Sequence, residues 1–189
     1  MKNLLKLSLI LLLTAFFLGE NATAQQRGGS NGLSPDAMVS QTIFNKTTIT
    51  VTYGRPGLKG RELSTLAPAG KIWRTGANEA STITFSTDVN FGGQAVPAGT
   101  YTLFTIPGDN WTFILNKQLT RGEGDDRVAW GAFGYHQDQD LVRVPAAEIV
   151  SNAPAKEHFA IYFDSITDTK THLNLHWGST KATVPITIE

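Results

Sequence analysis

Thr47-Thr48-Ile49-Thr50-Val51-Thr52-Tyr53 sets an apolar side chain at every second residue, with Ile49, Val51 and Tyr53 on one side and threonines on the other. Side chains that alternate in this way share one face of an extended strand, whereas a helix needs a period near 3.6. Most of the patterned chain follows the same rule. Residues 81–86 alternate with Ile83 and Phe85 inward. Val96-Pro97-Ala98-Gly99-Thr100 turns the chain into residues 101–106, and Pro107-Gly108-Asp109-Asn110 turns it again into residues 111–116. This pair predicts a hairpin, with turn-forming residues between β-branched and aromatic runs. Both runs are apolar on successive residues, so Phe104 and Phe113 each have two candidate directions. Further strands are predicted at 141–144, 159–163, 172–177 and 181–188. The only helix predicted is a turn or two at 146–151 and at 61–66. Many short strands with frequent turn signals define an all-β chain, an antiparallel β-sandwich or a jelly-roll-like barrel.

The first residues read as an export signal. Lys2 and Lys6 precede an apolar run over 7–19, and Ala22-Thr23-Ala24 offers a small-residue cleavage site before Gln25. A run of about 13 residues is shorter than the ~20 that span a bilayer. The expected organisation is a cleaved signal over 1–24, a polar, glycine-rich disordered leader over 25–33 and one β-sandwich domain over 34–189, either periplasmic or secreted, with no membrane anchor after cleavage. The chain has no cysteine, so no disulfide helps to hold it. Its formal net charge is zero at pH 7, which excludes nucleic acid as a bulk electrostatic partner. Gly28-Gly29-Ser30-Asn31-Gly32 matches a nucleophile-elbow pattern in form, but it lacks the strand and helix that would raise Ser30 on a strained turn.

One feature departs from the strand pattern. The stretch from Tyr53 to Ser81 is a long connection without periodicity, and connections this long in compact domains are usually functional or mobile. It carries Arg55, Lys59, Arg61, Lys71 and Arg74 against Glu62 and Glu79. It ends in Trp73-Arg74-Thr75-Gly76-Ala77-Asn78-Glu79. Together with Tyr53-Gly54-Arg55-Pro56, Lys59-Gly60-Arg61, Pro97-Ala98-Gly99-Thr100-Tyr101-Thr102-Leu103-Phe104 and Trp111-Thr112-Phe113-Ile114-Leu115-Asn116, this segment resembles the signature of an exported bacterial family, domain-of-unknown-function family 2911. The resemblance covers roughly 34–189. It implies a secreted or periplasmic β-rich domain, and it brings no activity with it.

The candidate ligand-binding residues are Arg55, Arg61, Trp73, Arg74, Asn78 and Glu79. Guanidinium forks bind carboxylate and phosphate in bidentate fashion, Asn78 and Glu79 would accept from hydroxyls, and Trp73 would offer a flat apolar platform. This set suits a small anionic or carbohydrate ligand. The alternative reading of the same residues is an Arg74–Glu79 ion pair, with the other arginines bonded to loop carbonyls. Two further functions stay open: a cell-envelope protein-interaction or structural domain, and a hydrolase or lyase with Glu79 as acid or base. No catalytic pair with separated pKa values is evident, so no catalytic residue, metal ligand or cofactor is assigned. His172, Asn174 and His176 alternate along one predicted strand. The two histidines then lie about 13 Å apart, too far to share an ion, so an exposed polar face is expected. Neither His136 with Asp138 and Asp140, nor Glu123 with Asp125 and Asp126, has the spacing of a calcium loop. Trp111, Trp130 and Trp177 are expected in core or sheet-edge packing. The sequons at Asn45 and Asn110 carry no assigned function.

Overall fold

The computed structural model describes residues 34–122 and 125–189. The expected signal and leader, Ser30 and Glu123 lie outside the described residues. In chain order the strands are β1 (Asp36–Ile43), β2 (Thr47–Gly54), β3 (Ser81–Phe85), β4 (Val89–Phe91), β5 (Gln94–Val96), β6 (Gly99–Ile106) and β7 (Thr112–Asn116). They continue with β8 (Thr120–Gly122), β9 (Asp125–Val128), β10 (Asp140–Pro145), β11 (Glu148–Val150), β12 (Lys156–Thr167), β13 (Lys170–Gly178) and β14 (Thr180–Thr187). Among the described residues, helix is confined to α1 (Leu63–Leu66) and a 3-10 turn at Gln137–Gln139.

One antiparallel sheet has the order β1-β2-β3-β6-β7-β10; the other runs β12-β13-β14-β4-β5, with β11 also paired to β14. Neither sheet closes on itself, which leaves an open sandwich rather than a barrel. The inner faces meet in one core. Ile49, Val51, Ile83, Phe85, Leu103, Phe113 and Leu115 come from the first sheet, and Phe159, Leu173, Leu175, Val184 and Ile186 from the second. The alternating threonines of β2 pair outward instead. Thr50 meets Ser40, Thr48 meets Thr42 and Thr52 meets Thr82 through their hydroxyls at 3.1, 3.1 and 2.7 Å. Such cross-strand hydroxyl pairs fix register while the other face packs.

The hairpin β6–β7 forms with Thr105 opposite Phe113 and Phe104 opposite Ile114. Its successive apolar residues have a simple cause: both faces are covered. Phe113 enters the main core, whereas Phe104 joins Ile114, Ala80 and Ala129 in a second, smaller cluster on the opposite face.

Two expectations are corrected. Residues 146–151 make no helical turn; Glu148–Val150 is strand β11, pairing Glu148 with Thr183 and Val150 with Lys181. Ile149 and Val150 are β-branched, and β14 offers an open stretch of edge, so ladder bonds win over a weak local preference. The row His172, Asn174, His176 is not an exposed face. Asn174 is fully buried and His176 is 5% exposed. β13 lies between β12 and β14, and their side chains close over it. Asn174 donates to Asp164 Oδ2 at 2.6 Å and accepts from the Thr183 hydroxyl at 2.7 Å.

Candidate functional site

The connection from 55 to 80 leaves β2, runs against the second sheet and returns to β3, the neighbour of β2 in the first sheet. Its first part lies along β12: Phe159 N donates to Pro56 O and Leu58 N to Glu157 O, at 2.8 and 2.9 Å. After α1, Gly70 N donates to Pro107 O at 2.9 Å in the β6–β7 turn. Trp73 then exchanges both backbone bonds with Thr105 of β6, at 2.8 and 3.0 Å. Its ring enters the main core. It stacks on Trp177 with centroids 5.8 Å apart and meets Trp111 and Phe159 edge-on at 6.2 and 5.0 Å. Trp73 is therefore a fastener between the sheets and presents no open platform.

Past Trp73 the backbone is wound tightly. Thr75 has φ +54° and Asn78 φ +63°, the left-handed region that a β-branched residue such as Thr75 seldom enters. The turn is held by its surroundings. Ser81 Oγ donates to Thr75 O at 2.8 Å, the Thr75 and Thr105 hydroxyls meet at 3.1 Å, and Ala77 N donates to Gly54 O at 3.2 Å. Gly54 is required at that contact, because a Cβ there would stand 2.1 Å from the Ala77 carbonyl oxygen. Asn78 Nδ2 bonds Ser34 O at 3.0 Å. A second strap crosses this turn: Ala80 N bonds Ala129 O at 2.8 Å, Gly131 N bonds Asn78 O at 3.0 Å, and Glu79 bridges Trp130.

The sequence-predicted residues are thus divided. Trp73, Arg74, Asn78 and Glu79 share the strapped turn. Arg61 is committed elsewhere, its Nε and Nη2 donating to Leu58 O and Gly57 O at 2.9 and 3.0 Å. Arg55 follows Gly54 and has an exposed side chain, with its backbone N bonded to Pro35 O at 2.8 Å. Glu79 is buried, at 7% exposure, and forms no ion pair with Arg74.

Arg74 is the chemically notable group. Its guanidinium is partly buried, and that burial pushes its pKa below the ordinary arginine value. Its one hydrogen bond is long, from Nη1 to Asn78 O at 3.4 Å, and among the described residues it has no carboxylate partner. It sits against Gly131, where an added Cβ would come within 2.6 Å of Nη1 and 3.3 Å of the Phe133 ring. Gly131 also has φ +65°, so the room beside Arg74 depends on a glycine there. Phe133 is 82% exposed and Trp130 41% exposed, unlike Trp111 and Trp177, which are in the core. This strap is not among the residues that the sequence pattern singles out. The signal was present in Gly131-Ala132-Phe133-Gly134, an aromatic residue held between glycines next to Trp130.

The strapped turn thus sets the partly buried Arg74 guanidinium near Gly131 and the exposed Phe133 on an open all-β sandwich. The chain belongs to the family described as "Protein of unknown function (DUF2911)", whose model matches residues 34–186. No curated protein and no solved structure matches it.

Proposed function

We propose that the protein is a binding module for a small anionic ligand, a carboxylate or an acidic sugar, held at Arg74. The observation that carries the reading is a partly buried guanidinium that has, among the described residues, one long hydrogen bond and no carboxylate partner. Desolvating a charge is unfavourable unless something compensates, and a bidentate carboxylate would supply two short, charge-assisted bonds. The wound turn and the 129–131 strap support this by holding the group in place before a ligand arrives. Phe133 and Trp130 would cover the apolar face of a sugar ring.

The test is calorimetric titration of the purified protein with galacturonate, acetate and inorganic phosphate. Arg74→Lys keeps the charge and removes the planar fork. It should weaken the best of these ligands roughly tenfold, about 1.4 kcal/mol, with the thermal midpoint unchanged. A double-mutant cycle of Arg74→Ala and Glu79→Ala should give a coupling below ~1 kcal/mol. A coupling of ~2 kcal/mol or more, with no anion bound by the wild type, would overturn the reading.

A further inference from the structure

We propose that β1 is an interaction edge, and that its partner is β1 of a second copy of this chain, paired antiparallel about a two-fold axis. A strand at the end of a sheet presents a row of unpaired N–H and C=O groups. Folds ordinarily blunt such an edge with a bulge, charges, a proline or a very short strand. The other edge strands of the two sheets carry these devices. β5 and β11 are three residues long. β10 breaks register between Asp140 and Val142, holds Arg143 against Asp140 at 2.6 Å and ends on Pro145. β12 breaks register at Lys156/Ala160 and again at Ser165/Thr167, and it carries Lys156, Glu157 and Asp164.

β1 has none of them. Its eight residues pair with β2 without a shift, from Asp36 opposite Gly54 to Ile43 opposite Thr47. After Asp36 it contains no charged residue, no proline and no glycine. Among the described residues no ladder continues the sheet beyond it.

The second observation is incomplete cover. On the strands inside this sheet the core-facing Ile49, Val51, Ile83 and Leu103 are fully buried. Ala37 and Val39 pack against the same core, yet both stay half-buried, and Met38 on the outer face is 68% exposed. One further strand in the sheet would cover both sides of β1, with main-chain bonds supplying the affinity.

The same residues select the partner. An edge that pairs with its own copy must accept every group that it offers. Residues 37–43 carry no charge to repel their counterparts, and they keep apolar residues on the core side and hydroxyls outside. Facing residues of an antiparallel pair share one face of the sheet, which restricts the registers. The register that sets Val39 against its own counterpart buries both valines. It places Met38 opposite Ser40 and Ala37 opposite Gln41, and the two six-stranded sheets become one continuous sheet. A single strand pair covers less than the ~1,200 Å² of a stable complex, so the expected dissociation constant is about 10–100 µM.

Analytical ultracentrifugation of the purified protein from about 5 to 500 µM should show a monomer–dimer equilibrium with that midpoint. The double variant Met38→Lys, Ser40→Lys changes two exposed side chains that the register sets opposite each other. It should raise the dissociation constant more than about tenfold, with the thermal midpoint unchanged. Because the chain has no cysteine, single cysteines report the register. Val39→Cys should cross-link into a dimer under mild oxidation, since facing Cβ atoms lie about 4.5–5.5 Å apart. Thr42→Cys, which the register sets opposite Asp36, should not. Sedimentation as a monomer at about 500 µM would overturn the proposal and leave the edge to an extended segment of a different protein. So would a dimer that the two lysines do not weaken, or one that cross-links through position 42 as fast as through position 39.

Discussion

His176 shows what one residue can do to the pH dependence of this sandwich. Neither ring nitrogen has a hydrogen-bond partner among the described residues. Desolvation pushes its pKa below 6.5, Lys156 and Lys181 push it further, and the nearby Pro154 carbonyl opposes them without completing a bond. His172 is lowered as well, by desolvation and Lys170, against opposition from Asp164 and Glu148. Both groups favour the neutral ring in the folded state. As pH falls below 6.5 the unfolded chain takes up protons first, so this part of the stability is full above 6.5 and is lost on the way down to the folded values. Asp125, held at about 2 by Arg127, adds its own loss only below 3.8. The expected result is a thermal midpoint that falls as pH drops below 6.5, with a shallower fall in His176→Gln. An unchanged slope in that variant would remove His176 from the account.

At the scale of elements, β6–β7 divides its burial between two faces, and this can be measured. Phe113→Ala opens the main core and should cost about 3–5 kcal/mol. Phe104→Ala empties a cluster of four buried residues, where Tyr135 packs edge-on at 5.1 Å, and should cost less, about 2–3 kcal/mol. Equilibrium denaturation of both variants checks the order; a larger loss for Phe104→Ala would mean that the strap carries more of the stability than the sandwich does. The same hairpin shows what the sequence could reveal. Its turn residues and apolar runs marked its position, but nothing in Phe104 or Phe113 told which face each would take, because that depends on the distant 129–135 strap. Strand β1 went unpredicted for a related reason: it is an edge strand with Met38 exposed, and half-buried edges carry little apolar alternation. Strand β11 was read as a helical turn because its partner edge lies more than thirty residues away, in β14.

At the scale of the whole molecule, the strand order along the chain was largely legible, since a period of two is a local property. The site was legible only in part. The turn from Trp73 to Glu79 was singled out, yet whether Arg74 meets Glu79, and what lies over it, is decided by Gly131 and Phe133 across the fold. The connection also joins the two sheets through Trp73, which lies against Trp177 of β13 with ring planes only 15° apart. Two indoles so close share their electronic excitation, and such a pair leaves an exciton couplet in circular dichroism, separate from the backbone signal. Trp111, 6.2 Å from Trp73, couples into the same signal, so the part of the couplet that survives in Trp111→Phe reports the contact between the connection and the second sheet. On heating, its loss should coincide with the loss of β signal if the connection is part of one cooperative unit. An earlier loss would show that the molecule can unlatch between its sheets while both remain intact.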